Sequence, residues 1–495
     1  MHLKAVSRIL GVLLMAFSLT MLPPAGVSLY YRDGTWLPFV QGFVVILLSG
    51  FAVYVASGKD KPALRLRDGF LIVAMFWVVL SAAAAIPLLV AGRPDLSTTD
   101  AVFEAVSGLT TTGATILINL DTLPRSILYY RQQLQWLGGM GIIVLAVAVL
   151  PMLGVGGMQL YRAETPGPVK DNKLSPRIAQ TAKWLWLVYL GMTVSCGMAY
   201  WLAGMDPFDA IGHAFSTVAI GGFSTHDASL GYFSLIGLEG AWIIELVAVF
   251  FMFAAGANFA LHFAAFYPLS RWQRPSFRLY LQDSEFRAYT LGLAALTIFV
   301  IARLIHNGQY EDVWEAILKG LFQAVSIATT TGFTTEDYSA WPGALPVLLI
   351  LASFVGGCAG STGGGMKVIR WLLIYKQGRR EVIKLVHPSA EIPVKLGDKA
   401  VPSRVTEAVW GFFSIYVLLF GFMMVLLMAT GLDQVTAFAA VTATLNNLGP
   451  GLGDVTANFR EINDTAKWVG VAAMLLGRLE IFTLFVLVTP TFWRR

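Results

Sequence analysis

The sequence predicts an all-α polytopic membrane protein. Two N-terminal helices precede four repeats of helix, pore helix and second helix, arranged around a pseudo-fourfold axis. Three observations carry that prediction. Hydrophobic residues fill 56% of the 495 positions and charged residues only 13%, against about 25% charged in ordinary soluble domains; mean hydropathy is +0.66. Ten segments have the roughly 17–25 mostly apolar residues that a bilayer span needs. Finally, one local pattern recurs four times, in Ser107–Gly113, Ser216–Gly222, Ser326–Gly332 and Ala443–Gly449, with a small residue six positions before a glycine. The glycines recur at intervals of 109, 110 and 117 positions, and a fixed period signals a repeated architectural unit.

The elements follow in order. The segments 6–30 and 35–57 read as the two additional helices. The first follows Lys4 and Arg8 as a signal peptide would. It runs on through Pro23 and Pro24 without a small-residue cleavage site, so it reads as a retained helix. Four pairs of spans come next: 69–91 with 126–160, 183–204 with 235–266, 288–306 with 343–376, and 405–430 with 466–490. Within each pair lies a stretch too short and polar to span: Thr98–Leu109, Pro207–Val218, Glu311–Ala328 and Gln434–Leu445. Each reads as a half-membrane pore helix ending in a glycine loop. Asp100, Asp209, Asp312 and Asp433 fall near their starts, where a carboxylate suits the helix dipole. The implied divisions are 1–60 for the extra helices and 61–165, 166–285, 286–400 and 401–495 for the repeats.

Charge placement orients the chain. With both termini inside, 26 of the 35 Lys and Arg fall in cytoplasmic loops and helix ends. Eight fall on the outer side (Arg32, Arg93, Arg125, Arg131, Arg303, Lys319, Arg460 and Lys467), and Arg478 lies within a span. This is the bias that the positive-inside rule describes. The net charge of +5 is topogenic and implies no nucleic-acid partner; the partners at this level are membrane lipids. Cys196 and Cys358 lack the spacing of a disulfide framework or a zinc site.

The glycine loops carry the chemistry. Irregular backbone at membrane depth is tolerated only where it lines a cavity or is buried in protein. Glycine supplies positive φ and close approach, and a ring of carbonyls replaces the hydration shell of a potassium ion. Beneath the third loop, Gly356–Gly365 holds six glycines in ten residues, each costing about 1 kcal/mol in a helix. The second helix of that repeat is therefore expected to break there, as helices do at functional sites; the bland alternative is a seam for close packing. Arg478 at depth is functional by default, facing the pore or paired with Glu480 or Glu245. Asn258 and His262, four apart on one helix, are a weak metal pair and read better as packing against the glycine-rich loop. Gly451-Leu-Gly-Asp454 spells an aspartyl-protease motif without a second aspartate in a span, and Ala359–Gly363 only echoes a nucleophile elbow. No nucleotide-binding loop is present, and no enzyme is expected.

These residues resemble the Trk/Ktr/HKT superfamily of potassium transporters over essentially the whole chain. The likeness rests on the two extra N-terminal helices, the loops ending at Gly113, Gly332 and Gly449, and the runs Gly256–His262, Gly356–Lys367 and Leu476–Glu480. The resemblance implies that potassium is coordinated by carbonyls just before each filter glycine: Thr111 and Thr112, Ile220 and Gly221, Thr330 and Thr331, Asn447 and Leu448. A serine at the first filter position accompanies sodium permeation in the family; glycine stands at all four here. The second loop departs from Thr-Thr-Gly, reading Ile-Gly-Gly. The family also implies a gate formed by Gly356, Gly357, Gly360, Ser361, Thr362, Gly363, Gly364 and Gly365 with Arg478. It further implies a homodimer in the bacterial inner membrane and a cytosolic TrkA-type partner binding NAD(H), ATP and ADP, with no organic cofactor on this chain. The basic stretches after Arg162, at Arg271–Arg287 and at Arg379–Lys399 suit such a partner. Uptake through a channel-like path is the reading favoured by the scarcity of ionisable groups at depth; proton- or sodium-coupled symport is the alternative.

Overall fold

The computed structural model describes residues 2–58, 65–144, 178–266, 275–397, 399–479, 481, 487 and 489–493. Four of the sequence-based expectations lie outside these residues: the far end of the 126–160 span, the basic stretch after Arg162, positions 271–274, and Glu480 with most of the C-terminal residues beyond it. The described chain is mostly helical, with one two-residue antiparallel pairing, Lys395–Leu396 against Lys399–Ala400.

The first helix runs Leu3–Tyr31 through a single 3-10 turn, and the second is Trp36–Ala56. They cross where glycine meets glycine. A Cβ on Gly11 would stand 2.7 Å from the Gly50 oxygen, and one on Gly50 would stand 2.8 Å from the Gly11 oxygen. Small residues at a crossing let membrane helices approach this closely.

The four outer helices are Leu66–Val90, Ile178–Leu202, Ser284–His306 and Ser403–Ala429. Each leads to a pore helix: Thr98–Leu109, Pro207–Ala219, Val313–Ala328 and Gln434–Leu445. Their N-caps are Ser97, Asp206, Asp312 and Asp433, each accepting a backbone N–H of the first turn. Two of the four aspartates singled out in the sequence are thus caps. Asp100 instead receives Lys467 Nζ at 2.8 Å, and Asp209 receives Thr225 Oγ1 at 2.8 Å.

The inner helices depart most from expectation. Among the described residues six helices are long and apolar enough to cross a membrane, and a bent pair makes a seventh crossing. The first inner helix, Arg125–Val144, carries Arg131, Gln132, Gln133 and Gln135 on its way through the protein. The second, expected as one span, is Ala241–Ala255 followed by Phe259–Phe266 after a 95° bend. The third breaks as the glycine run requires, into Leu345–Ala352 and Val368–Val386. The fourth is Asp464–Arg478. Inner helices pack on the pore helix of the next repeat: the first on the second pore helix, the second on the third, the fourth on the first. The third repeat meets the fourth through Ser353, whose Oγ accepts from Asn446 Nδ2 at 2.8 Å.

Three cations read as outer-side charges form ion pairs within this packing. Arg131 meets Glu104, Lys319 meets Glu245 at 2.7 Å, and Lys467 meets Asp100. A charge taken out of water needs a partner, and hydropathy alone does not reveal which charges have one.

Candidate functional site

Each pore helix ends in the same way. The residue two before the filter glycine sits in the left-handed region: Thr111 at φ 54°, Ile220 at 53°, Thr330 at 67° and Asn447 at 52°. The next residue donates its N–H to the carbonyl five positions back: Thr112 to Ser107 at 2.9 Å, Gly221 to Ser216 at 2.9 Å, Thr331 to Ser326 at 2.8 Å and Leu448 to Ala443 at 2.8 Å. This is the Schellman closure of a helix, and its acceptor is the small residue of the sequence repeat. Left-handed backbone is uncommon for any residue with a side chain and a genuine outlier for threonine and isoleucine. Its recurrence in four loops marks strain held by the surroundings, as functional sites hold it.

The four glycines then close a ring. All have positive φ: 82°, 80°, 81° and 99° in chain order. A Cβ on Gly113 would overlap the Gly221 oxygen, one on Gly222 the Thr331 oxygen, and one on Gly332 the Leu448 oxygen; on Gly449 the nearest atom is the Thr112 oxygen at 2.8 Å. Each glycine therefore abuts the carbonyl just before the glycine of the next loop, and the fourth returns to the first. Four of the eight carbonyl-bearing residues singled out in the sequence, Thr112, Gly221, Thr331 and Leu448, meet in this ring.

The departure in the second loop has a local cause. In the first and third loops threonine hydroxyls bond within the loop, Thr110 with Thr112 and Thr329 with Thr331, both at 2.7 Å. In the second, Gln135 does this work from the inner helix, donating to the Gly221 oxygen at 2.6 Å and accepting from Phe223 N at 3.0 Å. A Cβ on Gly221 would overlap the Gln135 side chain, so glycine is required there while the backbone path stays that of its sisters. In the fourth loop Asn447 Nδ2 donates to Thr112 Oγ1 at 2.9 Å and to the Met474 oxygen at 3.1 Å.

Gly356–Gly365 lies against the inner ends of three pore helices. Thr362 Oγ1 donates to the Val218 oxygen at 3.0 Å, Gly364 N to Thr330 Oγ1 at 2.7 Å, and Gly365 N to the Asn446 oxygen at 3.0 Å. A Cβ on Gly364 would overlap that Asn446 oxygen. Arg478, buried, donates from Nη1 to the Thr362 oxygen at 3.0 Å and from Nη2 to the Gly138 oxygen at 3.1 Å. Glu245, one of its two expected partners, pairs with Lys319 instead. Glu285 Oε1 accepts from Ala359 N at 2.7 Å and Ile369 N at 3.1 Å, clasping the loop at both ends.

Asn258 is not on a helix face with His262. It sits at the bend, where its Oδ1 accepts from Ala260 N at 2.8 Å, beside Gly360, whose oxygen accepts from Phe259 N. His262 turns away from the loop to the Tyr280 hydroxyl at 2.6 Å and the Ala254 oxygen at 2.8 Å. Among the described residues no cluster of His, Cys, Asp and Glu is arranged to hold a metal ion. Asp454 is exposed in a turn outside the filter.

Outside the ring, His226 bridges two repeats. Its Nε2 lies 3.2 Å from Asp209 and its Nδ1 2.5 Å from Asp121 of the first repeat, with the ring stacked on Tyr232. Burial works against its charged form, but the hydrogen bonds to Asp209 and Asp121 outweigh it and raise the pKa above the ordinary 6.5. The bridge is then complete below about pH 6.5 and is lost as pH rises through the raised value. The melting temperature of the purified protein should fall from neutral towards alkaline pH, and His226→Asn should flatten that dependence. Identical pH profiles for the two proteins would remove His226 from the outer bridge.

A helical membrane fold whose four pore-helix loops meet in one carbonyl-edged ring has the geometry of a cation transport protein of the pore-loop class. A family model described as TrkH, cation transport protein, matches residues 38–494, and the chain belongs to that family. It is 56% identical over 494 residues to the Trk system potassium uptake protein TrkH of Vibrio parahaemolyticus. It is 55% identical over 497 residues to the protein of the same name from Escherichia coli K12, and each comparison covers 100% of both chains. The crystal structure of the potassium transporter TrkH from Vibrio parahaemolyticus superposes with a TM-score of 0.90 at 53% identity, covering 100% of both chains.

Proposed function

We propose that this chain takes up potassium across the bacterial inner membrane, with both termini cytoplasmic, through the axial path between its four repeats. The closed ring of glycine against carbonyl is the observation that carries this reading. Partly dehydrated potassium is coordinated by the carbonyls of Thr111, Thr112, Ile220, Gly221, Thr330, Thr331, Asn447 and Leu448, the solution that ion filters use. The relatives named as potassium uptake proteins support the choice of ion.

Gly356–Gly365 is the gate. It bonds to the filter side of three pore helices and is pinned by Arg478, so the path opens only when those contacts are exchanged. The gate is moved by a cytosolic partner that binds nicotinamide and adenine nucleotides, and the chain works as a homodimer with one pore per protomer. The Trk-system naming of the relatives supports a multi-component assembly.

Flux in liposomes tests the reading. With a potassium gradient the purified chain should pass potassium and rubidium and exclude sodium. Equal sodium flux would refute the filter assignment. Potassium uptake that stops when the proton or sodium gradient is removed would replace the channel-like path with a symporter.

A further inference from the structure

Nine positions before each filter glycine the pore helix carries Glu104, His213, Gln323 and Ala440. The first three are fully buried, and each bonds to the chain leaving the filter. Glu104 accepts from Thr115 Oγ1 at 3.0 and 3.1 Å and from Ile116 N at 3.0 Å. His213 Nε2 lies 2.9 Å from Ser224 Oγ, and Gln323 Nε2 donates to the Glu336 oxygen at 3.2 Å. In the fourth repeat Ala440 offers no polar group; there the exit begins at Pro450, whose ring fixes φ, and Gly451 N donates to the Val455 oxygen.

Only the first of these braces is charged, and only it reaches two loops. Glu104 meets Arg131 of the inner helix at 2.6 Å, with side chains 0% and 1% exposed. The guanidinium uses its three nitrogens in three directions. Nε goes to Glu104, Nη2 to Thr115 Oγ1 at 3.0 Å beyond the first filter glycine, and Nη1 to the Ser224 oxygen at 3.1 Å beyond the second. Its centre stands 4.2 Å over the ring of Phe223, the residue directly after Gly222. One side chain thus ties the exits of the first and second loops to each other and to the first pore helix.

Desolvating two charges costs about as much as their attraction returns, so the pair is weak as a source of stability. Its geometry suits another task. We propose that the Glu104–Arg131 pair sets ion selectivity by fixing the spacing between the first two filter loops. This rests on the filter reading above. Whether discrimination comes from cavity size or from the number of carbonyls that reach the ion, both depend on that spacing. Arg131 touches no ion; it is a positioning residue acting through Ser224 and Thr115.

The test uses Arg131→Lys and Thr115→Val, with Gly113→Ser as the filter control, in the full chain reconstituted in liposomes. Lysine keeps Glu104 compensated but is a point charge that cannot reproduce the three-way fork. Thr115→Val keeps nearly the same shape but removes the hydroxyl that accepts from Arg131 and donates to Glu104, so it serves even where the lysine variant folds poorly. The readout is the ratio of sodium to potassium flux, which a merely structural role would not move. The expected result is a several-fold rise in that ratio for all three variants, with monodispersity retained. A rise with Gly113→Ser alone, or a loss of total flux at unchanged ratio in the brace variants, overturns the brace and leaves the filter standing. An unchanged ratio in all three overturns the filter reading and the brace with it.

Discussion

Replacing Arg478 with alanine is expected to raise basal potassium flux about ten- to a hundredfold in the absence of any partner. Arg478 donates two hydrogen bonds from a charged group, to the Thr362 oxygen in the glycine-rich loop and to the Gly138 oxygen on the first inner helix. Such bonds contribute about 1.5–3 kcal/mol each when a charge is involved, and every 1.4 kcal/mol is about tenfold in an equilibrium. Losing one net bond from the closed arrangement is enough for the lower figure and losing both for the upper. If Arg478 also opposes cations beneath the filter, as the proposed gate requires, removing its charge acts in the same direction. Arg478→Lys separates the two contributions. It keeps the charge and loses the forked reach, so its flux should fall between those of the wild type and the alanine variant. Proteoliposome flux at equal protein density measures all three. Wild-type flux from Arg478→Ala would mean that Thr362 is held by the Val218 carbonyl and its neighbours alone, and the barrier role would fall.

The glycine ring was legible in the sequence because its requirements are local. The spacing of a small residue and a glycine six positions later repeats in all four loops, and each such stretch closes its pore helix with a Schellman bond. The broken third inner helix was legible for the same reason, since six glycines in ten residues leave a helix little to form with. The sequence hid what depends on partners far along the chain. Glu104 and Arg131 are 27 positions apart on different helices, and an arginine near a helix start looks like any topogenic charge. Gln135 stands in for a missing threonine hydroxyl in another repeat, a substitution visible only once the two repeats pack together. The 95° bend after Ala255 is hidden by continuous hydropathy. Gly256 and the capping Asn258 are the local cues there, and that bend moves Asn258 and His262 into different surroundings.

Gly332→Ala should lower selective potassium flux about ten- to a hundredfold while leaving the protein assembled, and a matched control shows why. At φ 81° alanine carries backbone strain of about 1–2 kcal/mol, which a large membrane protein survives. The larger consequence is steric. The new methyl would overlap the Leu448 oxygen and stand 2.7 Å from Pro450 Cδ, so the carbonyl of the fourth loop has to move from its place in the ring. Overpacking of this kind costs about 1–3 kcal/mol, and as a loss of conducting geometry that is about ten- to a hundredfold in flux. Gly343 has φ 66° with nothing within 4 Å of an added Cβ. Gly343→Ala therefore imposes similar backbone strain without the collision and should conduct normally. Gly449→Ala should be milder than Gly332→Ala, because its nearest neighbour, the Thr112 oxygen, stands at 2.8 Å. Equal losses at positions 332 and 343 would trace the defect to strain, and the glycines would then serve the turn alone. A graded series of 332, 449 and 343 would trace it to the neighbouring carbonyl, where the four loops share one coordination shell.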